Sequence, residues 1–295
     1  MDAARESIAR YQKAQAPRPA FDETKEWTLT KVVSCLSRLI LGTAADTSLQ
    51  TLKPDWKPGD GAASSEWQQH AKIGIDPFEP GRPAHSNYKL LISAVVPRPI
   101  GFLSTVSGDG TRTNVAPFSY FELVADEPPT FVISVSGELK DTVSNLAETG
   151  EGVLNVVSEW FVDAANYTAI TAPPDVSEWD LSGLHPAPAT KVRPPLVAES
   201  AFNIETKVVD VFDVKSPRTG AVVSRVFVLE GIHFHAREDV INEDRSMLDI
   251  AKLKPVGRIG GIMYCRVSDG FEIPRYNYDQ QYEDEPAVRA IVNRE

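Results

Sequence analysis

Val96 to Tyr120 reads VPRPIGFLSTVSGDGTRTNVAPFSY, and this stretch decides the fold class. Ile100 to Val106 is apolar and rich in residues that favour strands, Ser107-Gly108-Asp109-Gly110 is a turn cluster with an Asp-Gly hairpin signal, and Thr111 to Val115 resumes the alternation. Pro117 then interrupts the second strand. Because proline cannot donate to a ladder, it predicts an edge, a bulge or a strand end, where Asn114 and Ser119 are free to meet something other than a neighbouring strand. Small hydroxyl and amide residues crowd the hairpin, as suits a ligand-holding surface.

Outward from the hairpin, strands dominate. Thr130 to Ser136, Gly152 to Ser158, Ala201 to Val214, Val222 to His235 and Gly261 to Val267 read as strands. Helices are expected from Asp141 to Thr149, stopped by Gly150, from Glu159 to about Ile170, and over Asp249 to Leu253. Val143, Leu146 and Ala147 would form the buried face of the first. The proline-containing stretch Thr171 to Pro195 reads as a long loop that covers something. Such a pattern favours a mainly β protein, an antiparallel β-barrel with a few helices, over a parallel sheet. Residues 1–86 read as an N-terminal extension with a helix around Lys31 to Leu41 and tryptophans at 27, 56 and 67 that suggest partial burial; residues 87–275 form the main domain and 276–295 a C-terminal tail.

The chain has 295 residues, 42% hydrophobic and 24% charged, enough for a sizeable core. Its net charge of −11 lies wholly beyond residue 86, where 30 acids face 19 bases. Nucleic acid is therefore not an expected partner, whereas a small anion could still be served by a few placed cations and amides. Two cysteines without metal-ligand spacing, Cys35 and Cys265, suggest a reducing compartment. The first residues have no apolar signal region and no run reaches membrane-spanning length, so a cytoplasmic protein without membrane contact is expected. No nucleophile elbow, phosphate loop, dinucleotide fingerprint or zincin motif occurs.

Arg98-Pro99-Ile100, Ser104-Thr105 and Asn114-Val115-Ala116-Pro117-Phe118-Ser119, followed by Pro128-Pro129, Lys140-Asp141-Thr142, Asn155-Val156-Val157 and Gly260-Gly261, resemble the flavin reductase-like family of FMN-binding split barrels. That resemblance implies an antiparallel Greek-key split barrel, bound FMN (or FAD with its adenylate toward solvent), a homodimer, and hydride transfer from NAD(P)H as transient reductant to flavin with a possible partner monooxygenase; the alternatives are an FMN-dependent oxygenase or oxidoreductase with a small-molecule substrate of its own, or a non-catalytic flavin-binding protein. It places the ribityl-phosphate end near Ser104, Thr105, Ser119, Lys140 and Thr142, and the isoalloxazine along Asn114 to Phe118. Arg98, on a stiff segment between prolines, could reach the phosphate or form a surface ion pair. Taken by itself, Lys140-Asp141-Thr142 reads as a helix start capped by Asp141 or Thr142 before it reads as an anion site, and the resemblance reverses that order.

No catalytic residue is evident beyond His185, which the long loop could bring to a substrate pocket. His233 and His235 share one strand face. With no histidine downstream of them and Glu238 too near, they read as neutral strand residues, and no metal is expected.

Overall fold

The computed structural model describes residues 51–293 apart from 138, 139, 174, 175, 269, 272 and 274. The expected helix over Lys31 to Leu41, Trp27 and Cys35 lie outside the described residues. In chain order the elements begin with α1 (Ala84–Ala94), β1 (Gly101–Val106), β2 (Thr113–Phe118), β3 (Phe121–Asp126), β4 (Pro129–Ser136), α2 (Asp141–Thr149) and β5 (Glu151–Asn155). There follow α3 (Val162–Tyr167), α4 (Glu178–Ser182), β6 (Pro186–Ala187), β7 (Leu196–Val197), β8 (Phe202–Lys215) and β9 (Val222–Ala236). The chain closes with α5 (Ile250–Leu253), β10 (Val256–Arg258), β11 (Tyr264–Arg266), α6 (Tyr278–Asp284) and α7 (Pro286–Val292).

Seven strands form one antiparallel sheet in the order β2-β1-β5-β8-β9-β4-β3. The sheet curls until Phe118 of edge strand β2 shares a core with Phe131 and Ile133 of β4, and with Leu103, Leu146, Leu154, Ile204, Phe227 and Leu229. This is the split barrel that the sequence implied. A second core, with Phe102, Val115, Phe161, Trp179, Leu184 and Val197, lies under α3, α4 and the loop that carries β7. β1 is buried along its whole length because it serves both cores, Leu103 the first and Phe102 the second.

The hairpin forms as expected. Ser107 donates its amide to the Arg112 carbonyl at 2.8 Å, Gly110 takes φ +75°, and the Asp109 carboxylate accepts from Ser107 Oγ, Thr111 N and Thr111 Oγ1. Those bonds, Ser107 first, pull the Asp109 pKa down to about 2. Pro117 sits in β2 opposite Phe102, and β2 is an edge strand as proline requires.

Several expectations need correction. The long loop contains α4 and β6 and leads directly into β7, and the helix expected to run to Ile170 is a 3-10 turn over Glu159–Phe161 followed by α3, which ends at Tyr167. The buried face of α2 is Thr142, Asn145 and Leu146, with Ala147 exposed, because the hairpin presents polar partners to that face. Trp56 and Trp67 are exposed, and no residue from 51 to 83 is buried, so this segment runs over the surface. α1 and β3 went unrecognised: α1 buries only Ile92 deeply and β3 buries nothing fully, so neither carries a clear apolar period.

Candidate active site: the hairpin and the start of α2

Successive residues of β1 point to opposite faces, so Ser104 and Thr105 cannot serve one site from one side. Thr105 faces α2. Its Oγ1 accepts from Asn145 Nδ2 at 2.9 Å, while Asn114, its partner across the hairpin, donates from Nδ2 to Thr142 Oγ1 at 2.8 Å. All four side chains are buried, and these neutral bonds fix α2 on the hairpin.

Ser104 faces the other way and donates to the Pro195 carbonyl at 2.5 Å. On that face Asn155 Oδ1 accepts from Val197 N at 2.9 Å and Asn203 Nδ2 at 2.7 Å, while Glu205 accepts the amides of Thr190, Lys191 and Val192 and a bond from His235 Nε2. Burial pushes the Glu205 carboxyl up, but the bonds from His235, Thr190 and Lys191 outweigh it and hold the carboxyl below its ordinary value. Four polar residues thus clamp the long loop to the barrel.

The start of α2 differs from the expected cap. Lys140 is the N-cap, extended at φ −92° and ψ 142°, and no side chain caps the helix; Asp141 is the first helical residue, and the Thr142 hydroxyl is turned down to Asn114. Lysine is a poor N-cap, because its ammonium cannot accept from the first-turn amides and sits at the positive end of the dipole. Helix geometry leaves the Asp141 and Thr142 amides without an intrahelical acceptor. The Lys140 ammonium stands 5.8 Å from the Phe118 ring centroid, and burial pulls its pKa down. The Lys140 ammonium and the two uncapped amides thus gather as positively polarised groups in one corner beside the edge strand.

A cleft of about 240 Å³ opens beside this corner, lined by Arg112, Asn114, Asp141, Asn145, Ser177 and Glu178 among others. Glu178 is buried at the start of α4, and burial, with Asp141 as a smaller contributor, raises its pKa. Asn145, Ser177 and Glu178 escaped the sequence reading. Only the Ser-Glu start of α4 gave a local signal, since Asn145 meets Thr105 forty positions away.

Of the remaining expected residues, Val115 and Phe118 are buried in the two cores, while Ala116, Pro117 and Ser119 stay half-exposed along the edge. Arg98 is buried. Its Nη1 donates to the carbonyls of Ile92 at 2.5 Å and Val95 at 2.9 Å, its Nη2 to Ile259 at 3.3 Å, and its Nε reaches Ser119 Oγ at 3.5 Å. Neither a phosphate contact nor a surface ion pair describes it, because these carbonyls use its donors to tie α1 to the segment after β10. His185 is 78% exposed in its side chain, pairs with Glu199 at 2.6 Å and does not line the cleft.

The family model described as flavin reductase like domain matches residues 93–252. A protein of Aquifex aeolicus is 38% identical over 186 residues, 61% of this chain and 89% of its own; YwrF of Bacillus subtilis is 33% identical over 195 residues, 65% and 94% respectively. Nitrilotriacetate monooxygenase component B from Bacillus cereus is 32% identical, with a TM-score of 0.65 over 69% of this chain and all of that one. The 2-nitrobenzoate 2-nitroreductase of Pseudomonas fluorescens is 25% identical, with a TM-score of 0.62 over 70% of this chain and 97% of that one. By the matched domain and by its split barrel, this chain belongs to the flavin reductase-like family.

Proposed function

We propose that the protein is an FMN-binding oxidoreductase that takes a hydride from NAD(P)H, with the flavin phosphate at the start of α2 and the ring along the edge strand. The observation that carries this reading is the uncapped start of α2, with Lys140 beside Phe118, in a chain of the flavin reductase-like family. Lys140 and the Asp141 and Thr142 amides would hold the phosphate. Charge-assisted bonds of that kind contribute about 1.5–3 kcal/mol each. The half-exposed edge of β2 from Ala116 to Ser119 would orient the ring through its unpaired main-chain groups. Asn114, Thr105 and Thr142, being buried and mutually bonded, would set the position of the corner rather than touch the cofactor, and Ser104 would act only through the loop. When bound, the flavin supplies hydride acceptance and onward electron transfer; the chain supplies position, charge and exclusion of water.

The similarity to a monooxygenase component supports a partner oxygenase as the consumer of reduced flavin. A second reading, an FMN-dependent enzyme with its own organic substrate, is favoured by the cleft beside the corner and by the likeness to a nitroreductase. We further infer a homodimer, because Val209, Phe212, Val214 and Val223 on the β8–β9 ribbon are exposed. No helix among the described residues is long and apolar enough to cross a membrane, which is compatible with the cytoplasmic site the reading assigns. We take residues 87–275 as the flavin-binding unit.

The test is anaerobic addition of NADH or NADPH to the FMN-loaded protein. Rapid bleaching of the flavin bands supports the reductase reading. Bound flavin that stays oxidised favours the second, and a protein that binds no flavin contradicts both.

A further inference from the structure

On the outer face of the sheet, beside the Ser104 clamp, Glu205 of β8 lies against two histidines of β9. Glu205 pairs with His233 across the ladder and Asn203 with His235, so both imidazoles and the carboxylate share one face. One ligand atom from each of the three side chains can be chosen such that all lie within 4.8 Å of one another. The third group comes from upstream, on the neighbouring strand, where spacing along β9 cannot reveal it.

We propose that Glu205, His233 and His235 form a binding site for a divalent transition-metal ion such as Zn²⁺, with two imidazole nitrogens, one carboxylate oxygen and a position left to water. Two histidines and one carboxylate are a donor set that suits such ions, and three protein ligands leave the site open. The carboxylate is already oriented for the task. Oε2 accepts the amides of Lys191 at 2.5 Å and Val192 at 3.0 Å, and Oε1 accepts that of Thr190 at 2.7 Å together with His235 Nε2 at 2.5 Å. An ion would replace the hydrogen between Nε2 and Oε1, and that proton would pass to solvent or to Nδ1. The three main-chain amides would remain, holding the ligating carboxylate from its outer side.

Tetrahedral coordination with bonds near 2.0–2.1 Å needs ligand atoms about 3.3 Å apart, so the Nε2–Oε1 separation must open. The His235 side chain is 27% exposed and has room to swing, whereas Glu205 is fully buried and fixed. His233 touches the His235 ring edge-on, with centroids 4.8 Å apart, and has no hydrogen-bond partner among the described residues. Its nitrogens are uncommitted, and this separates a ligand set from a plain Glu–His pair.

The test is titration of the untagged, metal-stripped protein with Zn²⁺ by calorimetry, repeated with Co²⁺ by visible absorption. The proposal expects one ion per chain, Co²⁺ bands of low-symmetry coordination, and a raised melting temperature with Zn²⁺. His233→Ala, which leaves the Glu205 clamp intact, should weaken Zn²⁺ binding by more than about tenfold, and His185→Ala should leave it unchanged. Glu205→Gln and His235→Ala, checked for folding by circular dichroism, should weaken it further. Absence of saturable binding, or binding that survives His233→Ala unchanged, overturns the site.

Discussion

Ser104 and Thr105 are chain neighbours that work on opposite sides of one strand. On the α2 side, Thr105, Asn114, Thr142 and Asn145 pair hydroxyl with amide and place the helix start against the hairpin. On the other side, Ser104, Asn155, Asn203 and Glu205 each bond the main chain between residues 190 and 197. The first layer is neutral and local to the proposed cofactor corner; the second is built around a carboxylate and governs how the barrel is covered. A run of hydroxyl and amide residues can look like one ligand site when the strand period splits it into two structural devices. Between them lie Lys140 and the half-exposed β2 edge, the groups to which the proposed function assigns the cofactor.

That contrast can be broken experimentally from either side. The largest effect is expected on the loop side, where Glu205→Ala removes a fully buried carboxylate with its charge-assisted bonds to three main-chain amides and His235, and should lower folding stability by about 3–5 kcal/mol in denaturant titration. Asn145→Ala, which removes one neutral donor from the α2 side and leaves Thr105 buried without it, should cost about 1–3 kcal/mol and weaken flavin binding through displacement of the helix start. Ser104→Ala should cost only about 0.5–1.5 kcal/mol, with faster amide exchange confined to the loop around Val197 and flavin affinity retained. Equal loss of flavin affinity in the Ser104 and Asn145 variants would erase the distinction between the two faces.

The smallest effect concerns the cleft. Because burial raises the Glu178 pKa above its ordinary 4.5, the folded state holds that proton more tightly than the unfolded chain. Stability present below the ordinary value is then lost as pH rises through the raised one. Glu178→Gln should match the parent in acid and exceed it near neutral pH by no more than about 1 kcal/mol, as thermal melts across that range would show.

The barrel was legible because its signals are local. The Asp-Gly turn, the Pro117 edge, the Gly150 stop and the Asp249 start of α5 each act within a few residues of where they stand. The candidate site was legible only in outline. Motif residues from Asn114 to Ser119 and Lys140 to Thr142 do converge, yet which of them face out depends on Asn145, and its partner Thr105 is fixed by tertiary contact. Arg98 illustrates the same limit: flanking prolines announce a stiff segment, but not that the carbonyls of Ile92, Val95 and Ile259 take its donors. Glu205 escaped notice because its partners are scattered from residue 190 to 235.

The central claim, that the phosphate of the flavin is held at the uncapped start of α2, is tested most directly by comparing FMN with riboflavin binding in the parent protein and in Lys140→Ala. The account predicts that the parent prefers FMN, and that the variant loses about 1.5–3 kcal/mol of FMN affinity while riboflavin affinity stays the same. Equal loss for both ligands, or unchanged FMN affinity, would contradict it.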